Sequence, residues 1–218
     1  APMDYEPFIW PLLAEALAAG KNVALPRFVS ENKGYAVFQV CDPSRDLASG
    51  RFGIIEPLAS CPEVPLNRLD LVLVPGIAFD ARGGRLGRGQ GFYDRLLADV
   101  RGTKCGVAFD EQLVDAVPVG PLDIRLDCIL TPTRWIEPPA SPFALPFDRA
   151  IPVRTIFFPI GHFLLPPRAP LPVVEKQPFV FRRPSLGAGF PFPIQPICSS
   201  VRAMISACCA GVRSTKYA

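Results

Sequence analysis

Histidine is almost missing from this chain: one residue, His162, in 218. Residues 1–135 contain none, so a Ser-His-Asp or Cys-His catalytic device is excluded there. Metal-ligand spacing is missing as well. Four of the seven cysteines, Cys41, Cys61, Cys105 and Cys128, are far apart, no C-x-x-C occurs, and Cys208 and Cys209 are adjacent. That pattern argues against zinc and against a disulfide framework, and for reduced thiols in a cytoplasmic setting. Long apolar runs are also scarce. A bilayer-spanning helix needs about 20 apolar residues. The run Thr155–Pro167 has 13 residues and holds Pro159, and the uncharged stretch Pro184–Val201 holds four prolines. The segment after Ala1 carries two acids and no basic n-region, so no secretory signal is expected and no membrane partner either.

Acidic residues run short in the second part of the chain. Residues 1–135 carry 14 Lys+Arg and 17 Asp+Glu, whereas residues 136–218 carry 9 and 3. The net +3 is therefore a weakly acidic body with a basic tail. The basic residues are scattered, so no nucleic-acid partner is expected.

Proline is what the tail has in excess: 15 of its 83 residues. At that density neither helix nor sheet propagates. The tail is expected to be irregular and dispensable for the fold of residues 1–135. Its richness in Phe, Ile and Leu leaves two readings open, a partner-binding extension or sequence without selected structure.

The body alternates strand and helix signals. A helix is expected from Pro11 to Ala19, with proline at its start and Gly20 at its stop. Strands are expected at Val23–Leu25, Tyr35–Val40, Leu69–Val74, Lys104–Ala108 and Asp127–Thr131, with a second helix over Phe92–Val100. Alternation of this kind gives a mostly parallel sheet covered by helices.

The most informative stretch runs from Arg85 to Arg95, Arg-Leu-Gly-Arg-Gly-Gln-Gly-Phe-Tyr-Asp-Arg. Gly87, Gly89 and Gly91 alternate after a strand and before a helix. Alternate glycines let backbone N–H groups turn toward an anion, and the two arginines add fork-shaped positive charge. The run is neither a Walker A loop nor G-x-G-x-x-G. A dinucleotide oxidoreductase would also need glycines after the first strand, where this chain has Leu25-Pro-Arg27. On spacing alone the run is equally a tight strand-to-helix turn with surface arginines.

The neighbouring segments narrow that choice. Gly20-Lys-Asn-Val-Ala-Leu-Pro26, Gly50-Arg-Phe-Gly-Ile-Ile-Glu-Pro57, Pro75-Gly-Ile-Ala-Phe-Asp80, Gly106-Val-Ala-Phe-Asp-Glu-Gln-Leu-Val114 and Asp123-Ile-Arg-Leu-Asp-Cys-Ile-Leu130 occur in a fixed order around the glycine run. Over residues 4–134 this set resembles the 5-formyltetrahydrofolate cyclo-ligases, also called methenyltetrahydrofolate synthetases. The resemblance implies an α/β fold, a Rossmann-like three-layer sandwich, over residues 1–135; the Pro-rich irregular tail over 136–218 lies outside it and is expected from proline density alone. It implies that the partner is the small molecule 5-formyltetrahydrofolate, cyclised to 5,10-methenyltetrahydrofolate with ATP and Mg2+ through a phosphorylated formyl group; the sequence leaves the oligomeric state open, with a monomer expected.

Residue by residue, the resemblance makes Arg85, Leu86, Gly87, Arg88, Gly89, Gln90, Gly91, Phe92 and Tyr93 the ATP loop, with Arg88 and Tyr93 catalytic. Arg88, Gly89, Gln90, Gly91 and Phe92 would also face the folate, together with Glu6 and Phe52. Asp94 and Asp127 match the Mg2+-associated acids. Plain alternatives stand beside these roles. Asp94 is also a first-turn acid on its helix, Asp127 a strand-edge acid within reach of Arg125 or Arg134, Glu6 an exposed terminal acid, and Phe52 a core residue. The family's N-terminal helix, whose Lys and Arg reach the phosphates, is expected to be missing. That opens a second function, a nucleotide- or folate-binding fragment with impaired catalysis.

Overall fold

The computed structural model describes residues 7, 9–29, 34–50, 54–139 and 153–159. Helix α1 (Trp10–Ala18) has Pro11 in its first turn. It ends where Gly20 takes φ +71°. There the Gly20 N–H bonds Leu17 O and the Lys21 N–H bonds Ala16 O, both at 3.0 Å, closing the last carbonyls as the left-handed glycine stop allows. Strand β1 (Asn22–Val29) then pairs antiparallel with β2 (Gly34–Val40). After the short helix α2 (Pro43–Asp46), β3 (Leu47–Ser49) and β4 (Ile55–Pro57) form a small hairpin of their own.

The remaining strands of the main sheet are β5 (Leu71–Val74), β8 (Thr103–Val107), β10 (Cys128–Leu130), β11 (Trp135–Ile136) and β12 (Thr155–Phe157). A separate three-stranded sheet holds β6 (Ala78–Asp80), β7 (Arg85–Leu86) and β9 (Leu113–Val114), and α3 (Phe92–Ala98) follows β7. The main sheet has seven strands in the order β11-β10-β8-β5-β12-β1-β2. Its five inner strands are parallel, and β2 and β11 run antiparallel at the two edges. This is the α/β class expected, with a mostly parallel central sheet.

Alternation along each strand builds the two layers. Val23, Leu25, Leu71, Leu73, Val107, Leu130 and Ile156 face α1. Ala24, Val72, Val74, Ile129 and Phe157 face the side of Leu96 and Leu97 from α3. Both faces are buried, which is why these strands read as continuous apolar runs. Gly106 lies in the second layer, where a Cβ would meet Leu126 Cδ1 at 2.8 Å and the Phe79 ring at 3.0 Å. Its missing side chain is the space that Phe79, fully buried, occupies.

One finding overturns a sequence expectation. Residues 153–159 fall in the segment expected to be irregular and dispensable, yet β12 lies in the middle of the sheet, parallel to both β1 and β5. Asp70 Oδ2 accepts the N–H groups of Arg154 and Thr155 at 2.8 Å, and Lys21 Nζ donates to Val153 O at 2.8 Å. Ile156, Phe157 and Phe158 are each at most 1% exposed. Three apolar residues between Arg154 and Pro159 suffice for a short buried strand, because proline is tolerated at strand ends. The proline count of the whole tail hid that local run. Residues 140–152 and 160–218 lie outside the described residues.

Candidate active site

In a parallel sheet the ligand crevice opens at the carboxyl ends of the strands, where the strand order reverses. Here the chain winds outward from β5 through β8 to β10 on one side and from β1 to β2 on the other, with β12 between. The glycine run leaves the carboxyl end of β5 by way of the β6–β7 hairpin. That hairpin is fixed by Asp80, which is 1% exposed. Its carboxylate accepts the N–H groups of Arg82, Gly84 and Val117 at 2.9, 2.9 and 2.8 Å. Burial works against the charged form, but the three N–H donors outweigh it and hold the Asp80 carboxyl below its ordinary value. Gln112 Nε2 adds a clamp on the carbonyls of Gly76 and Ile77 at 2.8 and 3.2 Å. Sequence reasoning did not single out Gln112, although it stands in the segment Gly106–Val114 that carries part of the resemblance.

Gly89 and Gly91 take φ +76° and +60°, backbone states that glycine enters without strain. The loop tip, Arg88 to Gln90, is exposed. Beyond it Arg95 donates from Nη1 to Gln90 O at 3.1 Å and lies 5.0 Å from the Phe92 ring centre.

The two arginines expected to work together are placed differently. Arg88 is on the exposed tip, whereas the Arg85 side chain runs beneath the loop, only 5% exposed. Arg85 Nη2 donates to both carboxylate oxygens of Asp94 at 3.1 and 3.0 Å, and its guanidinium lies 5.4 Å from the Tyr93 ring centre. A Cβ on Gly87 would sit 2.8 Å from Arg85 Nη1, so the glycine backbone lies directly on the guanidinium. Arg85 Nε is buried with no hydrogen-bond partner. Asp94 Oδ1 also accepts the Ile124 N–H at 3.3 Å. The structure thus brings Arg85, Tyr93 and Asp94 together under the loop. Asp127 is held by a different element: at the start of β10, its Oδ2 accepts the Lys104 N–H at 2.8 Å. Neither expected arginine partner takes it, since Arg125 donates to Arg82 O at 3.0 Å and Arg134 lies 3.9 Å from Asp110. Glu6 and Phe52 lie outside the described residues. Among the described residues, no three His, Cys, Asp or Glu side chains cluster as a metal site, and no helix is long and apolar enough to cross a membrane.

The opposite wall of the crevice comes from β1, β2 and β4. Tyr35 packs edge-on against Phe28 at 5.7 Å and against Phe92 at 5.3 Å. Glu56 is 8% exposed and accepts the Phe28 N–H. Burial pushes its carboxyl above the ordinary value, and the Phe28 N–H and the Arg27 charge offset that only in part. Arg27 Nη1 donates to Pro57 O at 3.1 Å, tying the β3–β4 hairpin to β1.

Comparison with known proteins identifies what the chain as a whole is similar to. The model of the 5-formyltetrahydrofolate cyclo-ligase family matches residues 1–132. An Escherichia coli K12 relative named 5-formyltetrahydrofolate cyclo-ligase is 40% identical over 131 residues, which are 58% of this chain and 72% of the relative. A relative of the same name from Mycolicibacterium smegmatis is 35% identical over 140 residues, covering 62% and 72%. The solution structure of Aquifex aeolicus 5,10-methenyltetrahydrofolate synthetase superposes with a TM-score of 0.57 at 34% identity, covering 67% of this chain and 73% of that one.

Proposed function

This chain belongs to the 5-formyltetrahydrofolate cyclo-ligase family, and from that premise we propose that it closes 5-formyltetrahydrofolate to 5,10-methenyltetrahydrofolate at the expense of ATP. The observation that carries the proposal is the loop at the carboxyl-end crevice, with left-handed glycines at its tip and a guanidinium beneath it. The donor set suits phosphate oxygens: loop N–H groups, Arg88 on the tip, and Arg85 behind Gly87.

The chemistry needs positioning and charge neutralisation more than a protein nucleophile, which agrees with a body without histidine. The formyl oxygen is a poor leaving group. It attacks the γ-phosphorus, an O–P bond forms, and the bond to ADP breaks. N10 then attacks the activated formyl carbon and loses its proton, while the C–O bond breaks and inorganic phosphate departs. Arg88 faces the phosphoryl group, Tyr93 packs on Arg85 and fixes its plane, and the glycine backbone allows close approach. Asp94 is the carboxylate that would hold magnesium; it already faces a cation, the Arg85 Nη2. Magnesium, when bound, neutralises phosphate charge and prefers one or two carboxylates with phosphate and water oxygens. Asp127 stays outside this set because it precedes β10, at the end of that strand away from the crevice, where it accepts the Lys104 N–H.

An absorbance assay for methenyl-folate formation from 5-formyltetrahydrofolate, with and without ATP and magnesium, tests the proposal. Formation only with both present is expected. Nucleotide binding without product would instead leave a binding protein of impaired catalysis.

A further inference from the structure

We propose that Gln112 is a positioning residue for the nucleotide loop: its side-chain amide holds the crossing from β5 to β6, and through that crossing it sets Arg85, where the loop begins. The inference rests on the cyclo-ligase reading and adds to it a residue outside the glycine run. Gln112 closes the single helical turn Asp110–Gln112 that follows β8, at the carboxyl end of the sheet, and is 9% exposed. Its amide faces one donor and two acceptors. Oε1 accepts the Phe109 N–H at 2.8 Å, and Nε2 donates to the carbonyls of Gly76 and Ile77 at 2.8 and 3.2 Å. Only one orientation of an amide satisfies that set. A carboxylate here would turn an acceptor toward two carbonyls. An apolar side chain of the same size would leave buried polar groups unpaired.

Gly76 and Ile77 are the joint between the sheet and the loop. Strand β5 ends at Val74, and β6 starts a different sheet at Ala78, so the chain changes sheets across these residues. A Cβ on Gly76 would lie 2.7 Å from Phe79 Cζ and 3.0 Å from Arg85 Cγ. The Gly76 backbone therefore rests on the Phe79 ring and on the stem of Arg85. The Ile77 N–H donates to Leu86 O at 2.8 Å, which ties the same joint to β7. Both contacts lead to the strand that opens the glycine run, and the Arg85 guanidinium continues from there to lie beneath Gly87. Gln112 thus fastens the end of β8 to the base of the loop. A displacement of about 1 Å at a positioning group can cost on the order of a hundredfold in rate, so a clamp at this joint bears on the nucleotide as well as on the fold.

Steady-state kinetics and calorimetry on the full chain test the role. Gln112→Met keeps the volume and loses the bonds to Phe109, Gly76 and Ile77. Gln112→Glu keeps the acceptor for Phe109 and loses the donor. Both should raise KM and Kd for ATP about tenfold, leave KM for 5-formyltetrahydrofolate within about twofold, and lower kcat by less than about threefold. Melting curves fix a temperature at which each variant is folded, and Gln112→Asn, whose amide is one methylene short, replaces any variant that does not fold. In an Arg85→Gln background, Gln112→Met should change ATP affinity by less than about threefold, because the side chain it positions is already gone. Unchanged ATP affinity in the folded variants, an equal rise in both KM values, or a further full loss in the Arg85→Gln background would overturn the positioning role. Absence of both turnover and ATP binding in the parent chain would instead overturn the cyclo-ligase reading itself.

Discussion

Arg85 and Arg88 are three residues apart and have the same chemistry, but the fold gives them different work. Arg88 is exposed at the loop tip, so Arg88→Ala should weaken ATP binding about tenfold to a hundredfold, as loss of one charge-assisted contact does. Its melting temperature should move less than that of an Arg85 variant. Arg85 is buried against Asp94, and removing it strands a carboxylate that is 20% exposed. Partial exposure softens that penalty to about 2 kcal/mol of stability. A double-mutant cycle decides whether Arg85 acts through Asp94. Arg85→Gln and Asp94→Asn should each weaken magnesium-dependent nucleotide binding, and the double variant should be little worse than either. Additive losses would make Arg85 an independent phosphate ligand. The residue types and their spacing were legible in the sequence. The burial that separates the two arginines was not, because it depends on Gly87 lying over the guanidinium and on Ile124 arriving from elsewhere in the chain.

The β6–β7 hairpin is the element that aims the loop, and two positions show how. Asp80 holds it through three N–H donors, and an amide cannot accept all of them. Asp80→Asn should cost about 3 kcal/mol. Because the folded carboxyl titrates below its unfolded value, its contribution is present above the unfolded pKa and is lost as pH falls through the folded one. The variant should therefore show a flatter acid limb in stability against pH, measured by urea unfolding across the carboxylate range. Gly106, on the neighbouring strand β8, leaves room for Phe79 of the hairpin. Gly106→Ala should cost about 1–3 kcal/mol by overpacking, and should raise KM for ATP as Phe79 shifts the hairpin. Unaltered stability and KM would mean the hairpin adapts without strain. The sequence signalled this element as a turn with glycines. It did not show that Val117, 37 residues on, supplies one of the three donors to Asp80, since that contact joins distant segments.

At the scale of the whole molecule, the sheet depends on a strand from far along the chain. Ile156, Phe157 and Phe158 are fully buried between β1 and β5, and burial of each contributes about 1.5–3 kcal/mol. Their sum is comparable with the roughly 5–15 kcal/mol by which a domain is stable at all. A chain ending at residue 139 should therefore fail to unfold cooperatively, and Phe157→Ala in the full chain should cost about 3–5 kcal/mol in denaturant titration. A cooperative transition of undiminished midpoint in the shortened chain would show that β1 and β5 close without β12. The sequence by itself determined the α/β class, the alternation of helices and strands, and the glycine loop with its charges. These are local properties, written in periodicity, caps and turn residues that act within a few positions of one another. Only the tertiary structure decided that Thr155–Phe157 is a central strand, that Arg85 faces Asp94 and not solvent, and that Tyr35 meets Phe92 across the crevice. Each of those contacts joins residues distant in sequence, and burial energy rewards any apolar run that fills the gap regardless of where along the chain it lies.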